Sequence, residues 1–268
     1  MEIDGRKIAS EIKEKLKKKV AKLTEKPSLA IIYVGKDKII DQFIKIKKKF
    51  GEEIGVQVLV FNFPENVNIQ DLLNEIQRLN KKYSGIIIQL PLPANLPPDF
   101  ILNSVSLEKD IDVLSEKSFG AFSRGEFRVL PPVVAAVKEI FYGRGRGWLK
   151  NKKIAIIGEG RLVGKPIIAW LRLQKIEPII CNKEINLSSL KNADIIISGA
   201  GSPHLIKPGM IKKGVILIDA GTSETGGKIL GDIDPLCYGK SSLFTPVPGG
   251  VGPITVAKLF ENLVNLSN

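Results

Sequence analysis

The chain has 268 residues, 44% hydrophobic and 25% charged, with 25 glycines and 16 prolines, which excludes a disordered chain and leaves room for two domains. The formal net charge is +12 and the first 50 residues hold 15 lysines and arginines against 7 acids, but these lysines share their helices with acids. A solvated face accounts for them better than a nucleic-acid or membrane surface, and with no apolar run near about 18 residues and no leader-like start the expected location is cytoplasmic.

Cys181 and Cys237 are far apart and His204 is the single histidine, so neither a disulfide framework nor a His/Cys metal site is expected. Taken in order, the chain predicts a charged helix near residues 5 to 23 and a short buried strand at SLAIIYVG, 28 to 34. A helix through IIDQFIKIKKKFGEEIG follows. At about 100° per residue it aligns Ile39, Phe43, Ile46, Phe50 and Ile54 as an apolar stripe. Lys45, Lys48 and Lys49 point away, and Lys47 falls on the margin of the buried half, where a lysine ordinarily snorkels. VQVLVFNF reads as a strand and IQDLLNEIQRLNKKY as a helix with Leu72, Leu73, Ile76 and Leu79 inward. SGIIIQLPLP is a strand stopped by prolines, which places Gln89, Pro91 and Pro93 at its carboxyl end, where parallel sheets collect ligands.

Residues 95 to 125 read as a turn-rich crossover containing EKDIDV. An extended path there would direct Asp110 and Asp112 to one side, fit for an amidine-like heterocycle or a cation, although two loop acids are more often solvated or capping groups. PPVVAAVKEIFYG begins a helix whose prolines sit in the first turn at little cost. Past the GRGRGW turn, KKIAIIGEGRLVGKPIIAWLRL reads strand, glycine loop, helix, and IEPIICN, ADIIISGAG and GVILIDAG add three strands. VGPITVAKLFENLVNL is a helix expected to pack back on the first unit. The expected class is therefore α/β with two domains: an N-terminal α/β domain over 1–120, completed by a C-terminal helix at 250–268, and a Rossmann-like nucleotide-binding domain over 121–249.

GEGRLVG at 158 to 164 is spaced G-x-G-x-x-x-G, one residue longer than the common dinucleotide fingerprint. Its glycines permit a tight turn and the next helix offers amides to a pyrophosphate, although a purely structural strand-to-helix turn has the same look. Arg161 and Lys165 would counter phosphate charge and Glu159 would oppose it. TPVPGGVGP at 245 to 253 is a rigid, irregular loop that reads as a grip for a flat polar ring or as a plain connection.

Taken together, IIIQLPLP, EKDID, GEGRLVGKP, GDID at 231 to 234 and TPVPGGVGPITVA resemble the bifunctional methylenetetrahydrofolate dehydrogenase and methenyltetrahydrofolate cyclohydrolase family along the whole chain. The resemblance implies oxidation of 5,10-methylene-tetrahydrofolate with a nicotinamide cofactor, then hydrolysis to 10-formyl-tetrahydrofolate. It assigns Lys47 as the central catalytic group, Gln89 as its partner and Asp112 as acceptor for the pterin ring. Phe43 would supply a stacking surface, and Pro248, Gly249, Gly250 and Val251 would line the pocket. Gly158, Glu159, Gly160, Arg161, Gly164, Lys183 and Thr222 would bind the cofactor, expected to be NADP with NAD possible. No metal is implied, and a homodimer acting on tetrahydrofolate derivatives, without a nucleic-acid partner, is expected.

The sequence departs from the family pattern at several places. Phe43 stands for the usual tyrosine, and Val113 for the glycine expected after the second aspartate, which should remove positive backbone dihedrals. LPPVV replaces a CTPRG-like element. Gly160 replaces a serine, Glu159 an arginine of some members, and Asn182 and Lys183 a His-Ser pair.

Overall fold

Burial on both faces explains why β1 (Ser28–Val34) lies at the centre of a sheet, since six of its seven residues are enclosed. The structure, a computed structural model, describes residues 1–142, 147–181 and 187–267; most of the GRGRGW turn, Asn182 and Lys183 lie outside the described residues. The chain divides into two compact units. One comprises Ser10–Pro132 with the end of the chain from Val256, the other Met1–Ala9 with Val133–Thr255.

The first helix, α1 (Gly5–Ala21), precedes β1, and the three-stranded unit continues with α2 (Lys38–Ile54), β2 (Gln57–Phe63), α3 (Ile69–Lys82) and β3 (Gly85–Ile88). The strands are parallel in the order β2-β1-β3, with Leu29 opposite Val58 and Gly85. Asp37 starts α2 by accepting the Ile39 and Ile40 amides at 2.8 and 2.9 Å, and Gly55 ends it in the left-handed conformation, a cap pair that contributes on the order of 1 kcal/mol or more.

The buried side of α2 differs from the predicted stripe. Ile44, Gly51 and Ile54 are enclosed while Ile46 is 52% exposed, so the inward face is rotated by roughly 90° from the expected one. Gly51 is the reason: a Cβ there would stand 2.4 Å from Val58 Cγ2 and 2.9 Å from the Phe260 ring, and such an approach requires glycine. Lys47 consequently lies along the buried line between Ile44 and Gly51, not at its margin.

On α3, Leu72, Ile76 and Leu79 are enclosed and Leu73 is half-buried. They join Ile32, Ile86 and Ile101 in the core. The turn-rich crossover contains two short helices, α4 (Pro98–Leu102) and α5 (Glu116–Ser123).

The five-stranded unit begins after α6 (Pro132–Ile140) with β4 (Ile154–Ile157), α7 (Gly164–Leu173), β5 (Ile179–Cys181), β6 (Ile195–Ser198) and β7 (Val215–Asp219). A hairpin of β8 (Ser223–Thr225) and β9 (Lys228–Leu230), then β10 (Ser241–Phe244), lead to α8 (Val251–Leu266). All five sheet strands are parallel, ordered β10-β7-β6-β4-β5. The start of the chain pairs with β10, Ile3 donating to the Phe244 carbonyl at 2.9 Å.

Neither β10 nor the hairpin was expected. SSLF is half polar and too short to show a period, but Gly226 and Gly227, both at positive φ, are a two-residue hairpin turn that the sequence carried openly. The far end of α8 groups with the three-stranded unit, where Phe260 stacks on Phe50 at 5.1 Å between ring centroids. Among the described residues no helix is long and apolar enough to cross a membrane.

Candidate active site

A lysine on a buried helix face must find a partner, and Lys47 finds Gln89. Its Nζ donates to Gln89 Oε1 at 2.6 Å, and Gln89 Nε2 donates to the Leu90 carbonyl at 2.9 Å. Gln89 follows β3 directly and is 8% exposed, so its amide is held where the strand ends. Burial holds the Lys47 ammonium below the usual lysine range, while the negative Asp112 pulls it back up. Phe43, one helical turn before Lys47, is half-buried.

The two aspartates of EKDIDV part company. Asp110 is buried and clasps its own loop, its carboxylate accepting from the Leu114 amide at 3.1 Å, the Ser115 amide at 2.8 Å and the Ser118 hydroxyl. The extended path that would direct both to one side is absent, because residues 110 to 113 turn, the Val113 amide donating to the Asp110 carbonyl at 3.3 Å. Asp112 alone acts on Lys47. Part of Asp112 stays in solvent, yet its carboxyl is enclosed enough that desolvation pushes it from an ordinary 3.8 to about 6, Lys47 opposing the shift and Asp110 adding to it.

Val113 corrects a further expectation. It keeps φ at +59°, the conformation of the glycine it replaces, with its side chain 2% exposed. A β-branched residue there is strained by an amount of order 1–3 kcal/mol. The loop is over-determined: beyond the Asp110 clasp, Asn262 of α8 donates to the Ile111 carbonyl at 2.9 Å and the Leu130 carbonyl at 2.8 Å. Sequence reading passed over Asn262, although an amide within the apolar run KLFENLV was the signal.

The Asp112 shift predicts a pH profile. With the carboxylate as the working form, kcat/KM should rise through about pH 6, and this limb should vanish from the residual profile of Asp112→Asn. Stability has the opposite slope. The folded chain keeps this proton between about pH 4 and 6, where the unfolded chain has lost it, so the contribution of Asp112 to stability falls as pH rises through that window.

In the five-stranded unit, Gly158 follows β4 at φ +83°, and a Cβ on it would stand 2.9 Å from Ala200 Cα and 3.0 Å from the Gly199 carbonyl. A Cβ on Gly164 would fall 1.8 Å from the Gly158 carbonyl oxygen. These two glycines make the turn. Gly160 does not: its nearest neighbour would be the Gly199 carbonyl at 3.9 Å, so its backbone is open to a ligand. No side chain caps the first turn of α7, leaving its positive end for a phosphate. The turn therefore fits a dinucleotide.

Glu159 is exposed beside Gly160, and Arg161 is half-buried. Thr222 is exposed after β7, and Lys183 lies outside the described residues. In the same unit, Pro248 is exposed, Gly249 is partly covered, and Gly250 and Val251 are buried, with the Gly250 carbonyl against Gly5.

Models of the tetrahydrofolate dehydrogenase/cyclohydrolase family match the chain in two parts, the catalytic domain over residues 3–112 and the NAD(P)-binding domain over residues 133–268. The chain is 36% identical to the bifunctional protein FolD 2 of Lactobacillus johnsonii, covering 99% of this chain and 96% of that protein. It is 37% identical to the bifunctional protein FolD of Nautilia profundicola, covering 98% and 95%. A solved structure of the bifunctional enzyme FolD from Campylobacter jejuni matches at 35% identity with a TM-score of 0.93, over 100% of this chain and 98% of that one. The FolD of Trypanosoma brucei complexed with NADP and an inhibitor matches at 28% identity with a TM-score of 0.93, over 100% and 97%. Fold and family models together define a two-part α/β protein with a Rossmann-like NAD(P)-binding domain, the class expected from the sequence. The chain belongs to the tetrahydrofolate dehydrogenase/cyclohydrolase family.

Proposed function

We propose that the chain oxidises 5,10-methylene-tetrahydrofolate to the methenyl form with NADP and hydrolyses that product to 10-formyl-tetrahydrofolate. The observation that carries this reading is the Lys47–Gln89 hydrogen bond at 2.6 Å, on a lysine whose burial eases loss of its proton. Gln89 orients the amine, and its neutral form takes a proton from the water that adds to the methenyl carbon. Asp112 accepts donors of the pterin ring, and Phe43 offers it a face. Nicotinamide, when bound, takes up the hydride from the methylene carbon. Gly158, Gly160 and Gly164 would carry its pyrophosphate, with Arg161 as counter-charge, while Thr222, Glu159 and Lys183 would flank the adenosine end. The choice of NADP is supported by the NADP complex of the Trypanosoma brucei relative. Pro248 to Val251 would line the folate pocket, and the working form would be a cytoplasmic homodimer.

The test supplies methylene-tetrahydrofolate with NADP or NAD to the folded protein and follows absorbance at roughly 340–360 nm; no turnover with either dinucleotide rejects the dehydrogenase. Loss of added methenyl-tetrahydrofolate no faster than its spontaneous hydrolysis rejects the cyclohydrolase.

A second reading, a dehydrogenase with weak hydrolysis, is favoured by Phe43, which lacks a hydroxyl one turn from Lys47. On that reading Phe43→Tyr raises the hydrolysis rate by about tenfold, the scale of one added hydrogen bond. An unchanged rate removes the hydroxyl from consideration.

A further inference from the structure

Asp232 of the GDID stretch and Asp219 at the end of β7 are two buried carboxylates that the reaction does not use. Asp232 is 0% exposed, and its carboxylate accepts from the Ser198 hydroxyl at 2.7 Å, the Ala200 amide at 2.8 Å and the Ser202 amide at 2.8 Å. All three donors belong to the end of β6 or the loop after it. Asp219, at the end of β7, holds the next tier, accepting from the amides of Gly221 at 3.0 Å, Asp232 at 3.2 Å and Ile233 at 2.8 Å. Each carboxyl rests over a glycine: a Cβ on Gly221 or Gly231 would come within 2.2 Å of Asp232 or Asp219.

The loop held by Asp232 is the surface on which the nucleotide turn rests. Gly158 packs against Gly199 and Ala200, and a Cβ on Gly199 would stand 2.3 Å from Val163, the residue capping α7. Displacing residues 199 to 202 therefore shifts both ends of the glycine turn. Charge-assisted bonds of this kind are roughly twice as strong as neutral ones.

We propose that Asp232 is a positioning residue for the dinucleotide, its carboxylate fixing the Gly199–Ser202 loop that sets the shape of the phosphate-binding turn. The assignment rests on the reading of this unit as the dinucleotide site. Asp232 acts through backbone and touches no ligand.

Asp232→Asn keeps the size but points an amide N–H at one or more of these donors. Titration of its fluorescence with NADPH should give a Kd raised about tenfold, with KM for NADP rising in step. The value of kcat and KM for methylene-tetrahydrofolate should move less than twofold, so dehydrogenase efficiency in NADP falls relative to cyclohydrolase efficiency, which needs no dinucleotide. Ser198→Ala, which removes one donor and no charge, should raise the NADPH Kd about threefold and keeps the question answerable should the first variant fail to fold. An NADPH Kd within experimental error of wild type in every folded variant overturns the assignment, as does a parallel fall in both activities, the mark of a purely structural role. Failure of the wild-type protein to bind NADPH or NADH is a different result: it overturns the reading of the unit itself, and the assignment with it.

Discussion

Lys47→Met is expected to lower cyclohydrolase turnover by at least about 100-fold while the protein remains folded. The size of the effect follows from the site holding one amine: among the described residues, the partner of Lys47 Nζ is the neutral Gln89 amide. The Gln89 amide cannot take the proton in its place, and Asp112, the carboxylate that acts on Lys47, is assigned to the pterin ring. The fold should survive because position 47 lies between Ile44 and Gly51 on the inward side of α2, where an unbranched apolar chain is welcome. Removing a desolvated ammonium offsets the loss of one hydrogen bond, about 1 kcal/mol, at Gln89. Thermal melting should therefore stay close to wild type. Near-normal hydrolysis in a folded variant would remove Lys47 from the mechanism.

Gly164→Ala is the second large effect, and it acts on the cofactor. The added methyl would sit 1.8 Å from the Gly158 carbonyl oxygen, 2.8 Å from its carbon and 3.0 Å from Glu159 Cα. All three are backbone atoms, so no rotamer change relieves the clash. The turn has to open, at a cost of about 1–3 kcal/mol in stability, and the NADPH Kd should rise more than tenfold. Gly160→Ala is the control, since its nearest neighbour is 3.9 Å away; it should melt like wild type. Normal NADPH affinity in Gly164→Ala would show that the glycine turn does not bind the dinucleotide.

The order of strands and helices was legible because each carries its period locally: IIYV, GIII and IAII are short apolar runs bounded by turns. The face of α2 was not. Its orientation depends on Gly51, whose contribution is the absence of a side chain, and on Phe260, more than 200 positions away in sequence. The error had a chemical consequence, since a stripe centred on Ile46 puts Lys47 at the rim, whereas the observed one puts it on the buried line. The roles of Asp110 and Asp112 were likewise hidden, because alternation along a chain tells direction only when the chain is extended, and residues 110 to 113 turn. Family resemblance separated Asp112, as acceptor for the pterin ring, from Asp110, where spacing alone left the pair undivided; that Asp112 also acts on Lys47 is visible only in the structure.

Val113 bears on what holds such a loop in shape. Its φ of +59° is a glycine's dihedral worn by a valine, maintained by the Asp110 clasp, the Asn262 amide and the enclosure of its own methyls. The geometry of this turn is thus a possession of the surroundings and not of the residue at its apex. The angle is held by Asp110 and Asn262 whatever side chain stands at 113. A glycine placed at 113 would release the strain but also empty a filled space, so the two effects on stability oppose each other.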